Sequence, residues 1–421
     1  MDKQDYESEQ AEQAEEIEQT NQINNINESE SEITNDINVE QKSGLSQRVK
    51  KILLLSGVFV LALLILFSYL AFTGSGRRLI YKVAGNFIYE RLDKEDDISA
   101  SSVITPLEEQ DYDSDNSSIV DDNSKNYNNK EGQESSLVIP KKTEPRQEDY
   151  VTNYLLMGIE EIKNAKNSDT IMIASINTKD NTVKLTSLLR DTYIEMEDNN
   201  PHKLNAFFSL RGANGLVDVV EEMYRIKIDG YAYINFESFE RVIDYLGGIA
   251  IELGEIEAEY LNTTNYISNS INRNVKPGWN ELNGNQALGY CRVRFVETLG
   301  GANDDYGRTL RQRRVLRAVF NKYKSKNIFD LVSISKNILG YIKTNVTQSQ
   351  IEKAIEDGIE NKITKMDTMR VPVNGTYEAP IKYNGIGYPL VLDWDANIIE
   401  LYQFVFLDTE EEAKMNLEKY R

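Results

Sequence analysis

Histidine and cysteine are almost absent from this sequence, which contains one residue of each, His202 and Cys291. A single cysteine excludes a disulfide framework within the chain and a cysteine-based zinc site. A single histidine excludes a multi-histidine metal centre, and a Ser-His-Asp triad would have to use His202. Carboxylates, arginines and a hard cation remain as the plausible catalytic groups.

Basic residues are also scarce, because 47 lysines and arginines oppose 68 aspartates and glutamates and leave a net charge of -21. A chain with a pI near 4.7 does not attract nucleic acid as a whole. Against this background, residues 287–326 gather the arginines Arg292, Arg294, Arg308, Arg311, Arg313, Arg314 and Arg317. This concentration points to a local site for an anion.

Two spacings within this stretch suggest a phosphate pocket. Arg292 and Arg294 are two residues apart, so an extended run would place both guanidinium groups on one face. Arg308, Arg311 and Gln312 stand at i, i+3 and i+4 of a predicted helix and would share one stripe of it. Arginine forks bind phosphate oxygens in pairs, so a strand end and a helix would build a phosphate or pyrophosphate pocket. Solvated surface arginines and a basic helix for nucleic acid are the alternative interpretations.

Shifts of composition divide the chain into segments. In order, they are an acidic polar arm (1–50), an uncharged apolar run (52–73), an amphipathic helix (74–95), a low-complexity polar spacer (96–149), a folded domain (150–407) and a charged tail (408–421). The arm buries too little apolar surface to offset ordering entropy, so we predict that it is disordered. The apolar run is long enough to cross a bilayer as one helix, but the charges on its two sides do not decide its orientation.

Strands that alternate with helices predict an α/β domain, a layered α-β-α arrangement around a central mixed sheet. We expect its first strand to end at Gly158 before a polar loop, and residues 255–274 to form an inserted loop. Two β-branched runs around Lys179 and Asp180 predict a hairpin in which the numbers of paired residues sum to about 359.

This register places Asp169 across from Arg190 at one end of the hairpin. A carboxylate and a guanidinium would then meet on a rigid ribbon. An ordinary cross-strand ion pair, which contributes little to stability, is the alternative.

Six blocks of sequence, in this order, resemble the LytR-CpsA-Psr family: SDT at 168–170, LRDTY at 189–193, HKLNAFF at 202–208, FERVIDYLGGI at 239–249, LNGNQALGYCRVRF at 282–295 and DYGRTLRQR at 305–313. The resemblance covers about residues 150 to 407. It implies a single-pass protein of the cell membrane, held by a signal-anchor, with a cytoplasmic N-terminus and an extracellular domain. Such proteins transfer a glycan polymer, such as teichoic acid or capsular polysaccharide, from a polyprenyl-pyrophosphate carrier to peptidoglycan, and nucleic acid is not a partner.

The same resemblance implies a set of site residues. The family's pyrophosphate ligands correspond to Arg190, Arg292, Arg294 and Gln312, and its magnesium-binding carboxylate corresponds to Asp169. Its DxxR motif matches Asp305 and Arg308, and its RQ motif matches Arg311 and Gln312. The family's GxDxR motif is altered, since Glu160 replaces its aspartate and Ile162 its arginine. Asn167 and Leu189 likewise stand where the family has arginine and proline.

The resulting hypothesis is a phosphotransferase assisted by Mg²⁺. Asp169 with Glu160 would hold the cation, and the pyrophosphate would be bound by Arg190, Arg292 and Arg294, with Lys203 or Arg311 as substitute for the missing arginine. Asp191, Asp305 and a second carboxylate freed by the metal are the candidates for the base that accepts the proton of the incoming sugar hydroxyl. The alternatives are a module that binds polyprenyl phosphate without transfer, a membrane-bound transcriptional attenuator, and a simple phosphatase.

Overall fold

A computed structural model of the protein describes residues 73–94, 144–162, 165–195, 200–324 and 326–420. The predicted arm, almost all of the predicted membrane span and most of the predicted spacer lie outside these ranges. Within them, no helix combines the length and the apolar character needed to cross a membrane. The chain divides into two units, residues 1–77 and 78–421, and the second contains the folded domain.

Strands and helices follow one another along the described ranges and are numbered in chain order. The strands are β1 (Asp93–Lys94), β2 (Val151–Ile162), β3 (Ala165–Asn177), β4 (Thr182–Leu188), β5 (Tyr193–Ile194), β6 (His202–Lys203), β7 (Gly230–Asn235), β8 (Ile249–Leu253), β9 (Gly278–Leu282), β10 (Lys343–Thr344), β11 (Lys365–Val371), β12 (Tyr377–Glu378), β13 (Lys382–Tyr383), β14 (Ile386–Gly387) and β15 (Val391–Leu392). The α-helices are α1 (Gly74–Tyr89), α2 (Ala206–Tyr224), α3 (Phe236–Tyr245), α4 (Glu255–Thr263), α5 (Gly284–Arg292), α6 (Asp304–Tyr323), α7 (Ile328–Ser335), α8 (Gln348–Glu360), α9 (Trp394–Phe406) and α10 (Glu410–Lys419).

The largest sheet of the described chain has seven strands, in the order β1-β10-β7-β2-β3-β4-β11. β7 is parallel to β2 and β11 is parallel to β4, whereas β3 is antiparallel to both of its neighbours. The sheet is therefore mixed, and the predicted α/β class with a central mixed sheet is confirmed.

The hairpin of β3 and β4 has the register that the sequence predicted. Ile171 pairs with Leu188 and Asn177 pairs with Thr182, so the residue numbers of each pair sum to 359. The register follows from the local turn between the strands, which explains why the sequence was sufficient to predict it.

The ribbon of β2 and β3 is longer than predicted and contains a β-bulge. Its ladder continues past Gly158, where the sequence suggested a polar loop, to the pair of residues 162 and 165. Gly158 pairs with Thr170, but the next pair is Ile159 with Ser168, so Asp169 has no partner in the ladder. A bulge redirects the side chain of its extra residue, and bulges are common beside active sites.

Helices lie on both faces of the central sheet. Leu188 packs in one apolar core with Phe207 of α2 and Leu401 of α9. The preceding residue, Ser187, instead accepts a hydrogen bond of 2.9 Å from Arg313 of α6. Because successive side chains of a strand point to opposite faces, α6 lies on the other side of the sheet from α2 and α9.

A second apolar core is formed by α3, α4, α5 and α6 with the two-stranded sheet of β8 and β9. Ala258 and Leu261 of α4 are buried in it. The prediction of an inserted loop at residues 255–274 is therefore wrong for the part that forms α4. This core fixes α5 and α6, which carry most of the arginines, relative to each other.

The folded unit extends beyond the predicted domain at both ends. Arg146, in the predicted spacer, is buried and its Nη1 lies 2.5 Å from Oδ2 of Asp408. The segment predicted to be a charged tail contains α10, whose Ala413 and Leu417 are buried in the first core. The suggested domain boundaries at residues 150 and 407 therefore lie inside the folded unit.

The helix predicted at residues 74–95 exists as α1, and it packs on the domain. Arg78 Nε lies 3.2 Å from Glu356 Oε1, and the Tyr81 hydroxyl donates to Glu360 at 2.8 Å, so both contacts reach α8. The following strand, β1, pairs with β10 at the edge of the central sheet. Elements on both sides of the predicted spacer thus belong to one folded unit.

Candidate active site

Four parts of the chain meet at one end of the β2–β3 ribbon. The ribbon carries Glu160 and Asp169, and Arg190 follows the end of β4. The remaining two parts are the end of α5, with Arg292, and the first turn of α6, with Asp305. Residues far apart in sequence are therefore brought together by the sheet and by the second core.

Asp169 is the centre of this arrangement. Its Oδ1 lies 2.5 Å from Nη1 of Arg190 and 3.6 Å from Nη1 of Arg308. Burial raises the pKa of Asp169, but the charges of the two arginines outweigh burial and hold the pKa well below its usual range. Asp169 is therefore an ionised carboxylate at neutral pH.

Glu160 behaves in the opposite way, although it lies next to Asp169. Burial, reinforced by the Asp169 carboxyl group, raises the pKa of Glu160 to about 7. Its contact with the guanidinium of Arg292 is long, 3.4 Å from Oε1 to Nη2. Two such neighbouring carboxyl groups share a proton unless a cation replaces it.

The carboxylate of Asp305 also contacts Arg308 and adds one further arginine, Arg294. Its Oδ1 lies 2.7 Å from Nη2 of Arg308 and 3.9 Å from Nε of Arg294. Burial lowers the pKa of Arg294, and the nearby charges of Arg308 and Arg190 lower it further. The guanidinium groups of the site are thus close enough to repel one another.

Several buried polar atoms of the site have no hydrogen-bond partner among the described residues. They are Nε of Arg190, Nε and Nη2 of Arg308, both carboxylate oxygens of Asp305 and Oε1 of Gln312. The short contact between Arg308 and Asp305 is thus an ion pair without hydrogen-bond alignment. An unpaired buried polar group costs about 1–3 kcal/mol. The three unpaired arginine N–H groups therefore suit a ligand with acceptor oxygens, whereas the oxygens of Asp305 and Gln312 suit a hydrogen-bond donor.

Arg292 and Arg294 do not lie on one strand, contrary to the prediction. Arg292 is the last residue of α5, and the extended Val293 follows it. The two guanidinium groups still reach the site, one at Glu160 and the other at Asp305. The helix takes precedence because Asn283 and Gln286 form a capping box at its start.

Arg311 is not a ligand of this site, which corrects the prediction. It is fully buried, with Nε 2.8 Å from Glu257 Oε1. Its Nη1 and Nη2 donate to the carbonyl oxygens of Val293 and Val296 at 3.1 and 2.8 Å. Arg311 therefore holds the loop that carries Arg294, and its partner Glu257 lies too far away in sequence to be recognised from the spacing of α6.

Lys203, Asp191 and Gln312 lie at the edges of the site. Lys203 Nζ is 3.1 Å from Asp191 Oδ1, and Asp191 Oδ2 is 3.6 Å from Nε of Arg190. Gln312 Nε2 donates to the carbonyl oxygen of Cys291 at 3.5 Å. Burial raises the pKa of the Cys291 thiol to about 12, so this cysteine is not a ready nucleophile.

One neighbour of the site was not selected from the sequence. The ring of Phe236 lies under the guanidinium of Arg292, with 5.0 Å between Cζ and the ring centroid. Its only signal in the sequence is its position directly after the strand YAYIN. The contact is a cation–π interaction that orients the arginine.

The donor set of the site is compatible with one hard cation. Mg²⁺ is commonly bound by one or two carboxylates, with phosphate oxygens and waters completing its six ligands. Asp169 and Glu160 provide such a pair. In the described part of the chain, no three histidine, cysteine, aspartate or glutamate side chains are grouped so as to hold a metal ion by themselves.

The family model described as the LytR_cpsA_psr family matches residues 113–391 of this chain. TagU of Bacillus mycoides (strain KBAB4), named a polyisoprenyl-teichoic acid–peptidoglycan teichoic acid transferase, is 30% identical over 246 residues, which are 57% of this chain and 73% of TagU. TagV of Bacillus subtilis (strain 168), with the same transferase name, is 29% identical over 235 residues, 54% of this chain and 58% of TagV. Biofilm regulatory protein A of Streptococcus mutans is 32% identical over 219 residues, 47% of this chain and 49% of that protein. The matched part of the chain thus spans between about half and three quarters of these relatives.

Solved structures are also similar to this chain. The crystal structure of Bacillus subtilis TagV has a TM-score of 0.48 at 25% sequence identity, and the match covers 62% of this chain and 99% of TagV. The crystal structure of protein gbs0355 from Streptococcus agalactiae has a TM-score of 0.49 at 23% identity, covering 64% of this chain and 89% of that protein.

Proposed function

Because the chain belongs to the LytR_cpsA_psr family, we propose that its domain is a phosphotransferase that moves a teichoic-acid-type glycan polymer from a polyprenyl-pyrophosphate carrier to peptidoglycan. The relatives TagU and TagV are named for the transfer of teichoic acid to peptidoglycan. A regulatory role has weaker support, since the relative named as a biofilm regulatory protein is matched over only 49% of its length.

The observation that carries this proposal is the convergence of Arg190, Arg292, Arg294 and Arg308, with several of their N–H groups unpaired, around two adjacent carboxyl groups. A diphosphate offers many acceptor oxygens and about two negative charges. It would satisfy the unpaired donors and relieve the repulsion between the arginines.

Asp169 and Glu160 are the residues that would hold Mg²⁺ in this proposal. The cation supplies positive charge beside the phosphate oxygens and takes the place of the proton that the two carboxyl groups otherwise share. Arg190 and Arg308 keep Asp169 ionised and oriented. Arg292 does the same for Glu160 once that residue is deprotonated.

The arginines act on the charge that moves during the reaction. An acceptor hydroxyl of peptidoglycan attacks the sugar-side phosphorus and forms a new P–O bond, while the P–O bond to the bridging oxygen breaks. Polyprenyl phosphate leaves and carries the negative charge of that bridging oxygen. Arg190 and Arg294, fixed before the reaction, stabilise the charge without reorganisation.

We assign Asp305 as the acceptor of the hydroxyl proton. Its Oδ1 lies against Arg308, but its Oδ2 accepts no hydrogen bond from the described residues, so a lone pair of Oδ2 is free to receive the proton. Asp191 is less suited, because Lys203 and Arg190 hold its two oxygens.

We also propose that residues 52–73 anchor the protein in the cell membrane, with the N-terminus in the cytoplasm and the domain outside. The uncharged run supports the anchor, and the peptidoglycan and polyisoprenyl carrier in the names of TagU and TagV support the external position. A protease added to protoplasts would then cleave a recognition site inserted between residues 95 and 143, whereas a domain in the cytoplasm would be protected.

The transfer reaction can be tested with the purified chain, a polyprenyl-pyrophosphate-linked glycan and peptidoglycan fragments. We expect Arg190→Ala and Asp169→Asn each to lower kcat by roughly 10² to 10³, as the loss of one preorganised charged group does in comparable sites. Asp305→Asn should lower kcat with little change in KM, and Asp191→Asn should have a smaller effect.

The matched control for the transfer experiment is Arg241→Gln, at an exposed arginine of α3 that forms an ion pair with Glu237 and lies beside the ring of Tyr341. It should retain the wild-type rate. Wild-type transfer by folded Arg190→Ala and Asp169→Asn variants would refute both the site and the proposed reaction.

A further inference from the structure

A second group of arginines lies on the α6 face of the sheet, outside the active site. Arg313 and Arg317 are one turn apart on α6, and Arg370 is on β11. Arg313 Nη1 donates to Ser187 Oγ at 2.9 Å, and Ser187 is the partner of Arg370 in the ladder between β4 and β11. Arg317 Nη2 donates to Thr368 Oγ1 at 3.3 Å. Since Thr368 and Arg370 are two residues apart on one strand, the three arginines face the same space.

This Arg313 cluster, which consists of Arg313, Arg317 and Arg370, has no carboxylate partner among the described residues. Arg370 donates to a backbone carbonyl and to an asparagine, and it lies over the ring of Tyr306 with 4.4 Å between Cζ and the centroid. Arg313 is 7% exposed, and its Nε has no hydrogen-bond partner in the described chain. Buried charges are normally paired, so Arg313 lacks the counter-charge expected of a buried cation.

The electrostatics of Arg313 agree with the contacts. Burial, together with the charges of Arg370 and Arg317, lowers the pKa of Arg313 to about 10. Arginine otherwise stays charged in proteins because its positive charge is delocalised over the planar guanidinium group. A bound anion would remove the repulsion within the cluster and satisfy the free Nε–H.

The Arg313 cluster adjoins the active site along α6. Tyr306, which Arg370 covers, follows Asp305 in the first turn of the helix. Arg313 lies seven residues after Tyr306, or about 10.5 Å along the helix axis, and on the same side of the helix. A ligand held by its diphosphate at the first turn would therefore have its next groups within reach of the cluster.

We propose that the Arg313 cluster binds a phosphate group of the glycan polymer that the active site transfers. The identity of the ligand rests on the proposed function, whereas the geometry of the three arginines does not. A teichoic acid, the polymer named for TagU and TagV, carries phosphodiester groups along its chain. Arginine forks bind phosphate oxygens in pairs, so the cluster would select a phosphate-bearing polymer over a neutral glycan.

The test is a calorimetric titration of the full 421-residue chain in detergent with a short glycerol phosphate oligomer that has no carrier lipid. We expect Arg317→Gln and Arg370→Gln each to weaken binding roughly tenfold to a hundredfold, because each removes hydrogen bonds to a charged group. Arg241→Gln, at an exposed arginine on α3, should bind the oligomer as the wild type does.

Two further ligands identify the source of the phosphate. A neutral glycan oligomer of equal length should bind at least roughly tenfold more weakly than the glycerol phosphate oligomer. Inorganic phosphate should also bind more weakly than the oligomer. Equal binding of the neutral oligomer, equal binding of inorganic phosphate, or wild-type affinity in both Arg317→Gln and Arg370→Gln would overturn the proposal.

Arg313 itself is tested through stability, because it is buried. Arg313→Met should unfold at the same temperature as the wild type or a higher one in the absence of anions, since it removes an unpaired buried charge. It should also lose the stabilisation that the oligomer gives to the wild type. A lower unfolding temperature without anions would show that Arg313 is a structural residue and not a ligand.

Failure of this proposal can be distinguished from failure of the proposed function. Asp169→Asn alters the active site but leaves the Arg313 cluster intact, and the oligomer contains no pyrophosphate. We therefore expect Asp169→Asn to bind the oligomer with wild-type affinity even though its transfer rate is strongly reduced. Loss of oligomer binding in this variant would place the oligomer at the active site and overturn the second site.

Discussion

Glu160 and Asp169 are neighbouring carboxyl groups whose protonation is set in opposite directions. Two arginines keep Asp169 ionised, whereas burial and the Asp169 carboxyl group raise the pKa of Glu160 to about 7. At neutral pH the pair therefore holds a proton in a substantial fraction of molecules. A cation that binds both groups must displace this proton, so its affinity depends on pH.

We expect the affinity of the chain for Mg²⁺ to rise about tenfold per pH unit below pH 7 and to level off above it, because Mg²⁺ and the proton of Glu160 exclude each other. The measurement is the Mg²⁺ concentration that half-activates transfer, determined from about pH 5.5 to about pH 8.5. Glu160→Gln should bind Mg²⁺ more weakly at every pH and without this slope. An unchanged slope in Glu160→Gln would assign the titration to another group.

The same pKa shift has a consequence for stability without metal. The folded state holds a proton on Glu160 between its ordinary pKa of 4.5 and about 7, while the unfolded state has released it. Stability then falls as pH rises through this window, because the unfolded state binds fewer protons there. Glu160→Gln should remove this decline in urea denaturation experiments, which provides a control independent of activity.

At the scale of single residues, the sequence predicted the contact between Asp169 and Arg190 but not the role of Arg311. Asp169 and Arg190 could be placed together because one local hairpin determines their register. Arg311 was assigned to the pocket because a helical stripe does not reveal which residues face solvent. Its partner Glu257 is 54 residues away, and only the folded chain shows that the two are paired.

α6 performs different tasks along its length. Its first turn carries Asp305 and Arg308 of the active site, and its middle carries Arg311, which is bonded to the loop after α5. This loop includes Arg294. The position of the Arg294 guanidinium therefore depends on the fully buried ion pair between Arg311 and Glu257.

Removing Arg311 should destabilise the protein by about 3–5 kcal/mol, because it leaves the buried carboxylate of Glu257 without its counter-charge. The measurement is the free energy of unfolding of Arg311→Met by urea denaturation. The double variant Arg311→Met/Glu257→Leu should recover part of this loss, since it removes both buried charges. Unchanged stability combined with a raised KM would restore Arg311 as a direct ligand.

At the scale of elements, structure that depends on residues close in sequence was predicted well. Structure that depends on distant residues was predicted poorly. The β3–β4 hairpin follows from a turn, which involves residues close in sequence. α4 was missed because its apolar residues are few and its buried Glu257 resembles a surface acid. The extension of β2 beyond Gly158 was missed because polar residues in a projecting ribbon have the composition of a loop.

At the scale of the whole molecule, composition predicted that the spacer comes before the folded domain. The first elements of the domain in fact come before the predicted spacer. α1 and β1 precede residues 95–143, yet they pack on α8 and β10. The parallel pairing of Asp93 with Lys343 joins residues 250 positions apart, which no local pattern could reveal. In the sequence, the predicted spacer therefore lies between elements of the folded domain, because α1 and β1 come before it.

Cleavage between residues 95 and 143 should consequently leave α1 attached to the domain. After an inserted protease site in this segment is cut, we expect the two fragments to purify together under native conditions and to separate in urea. Tyr81 and Ala84 are buried residues of α1, so Tyr81→Ala combined with Ala84→Asp should release the N-terminal fragment without denaturant. Leu79→Ala, on the exposed side of the same helix, should not release it. Separation of the wild-type fragments in native buffer would show that α1 is held to the domain only through the chain, and that the segment after it acts as the spacer suggested by its composition.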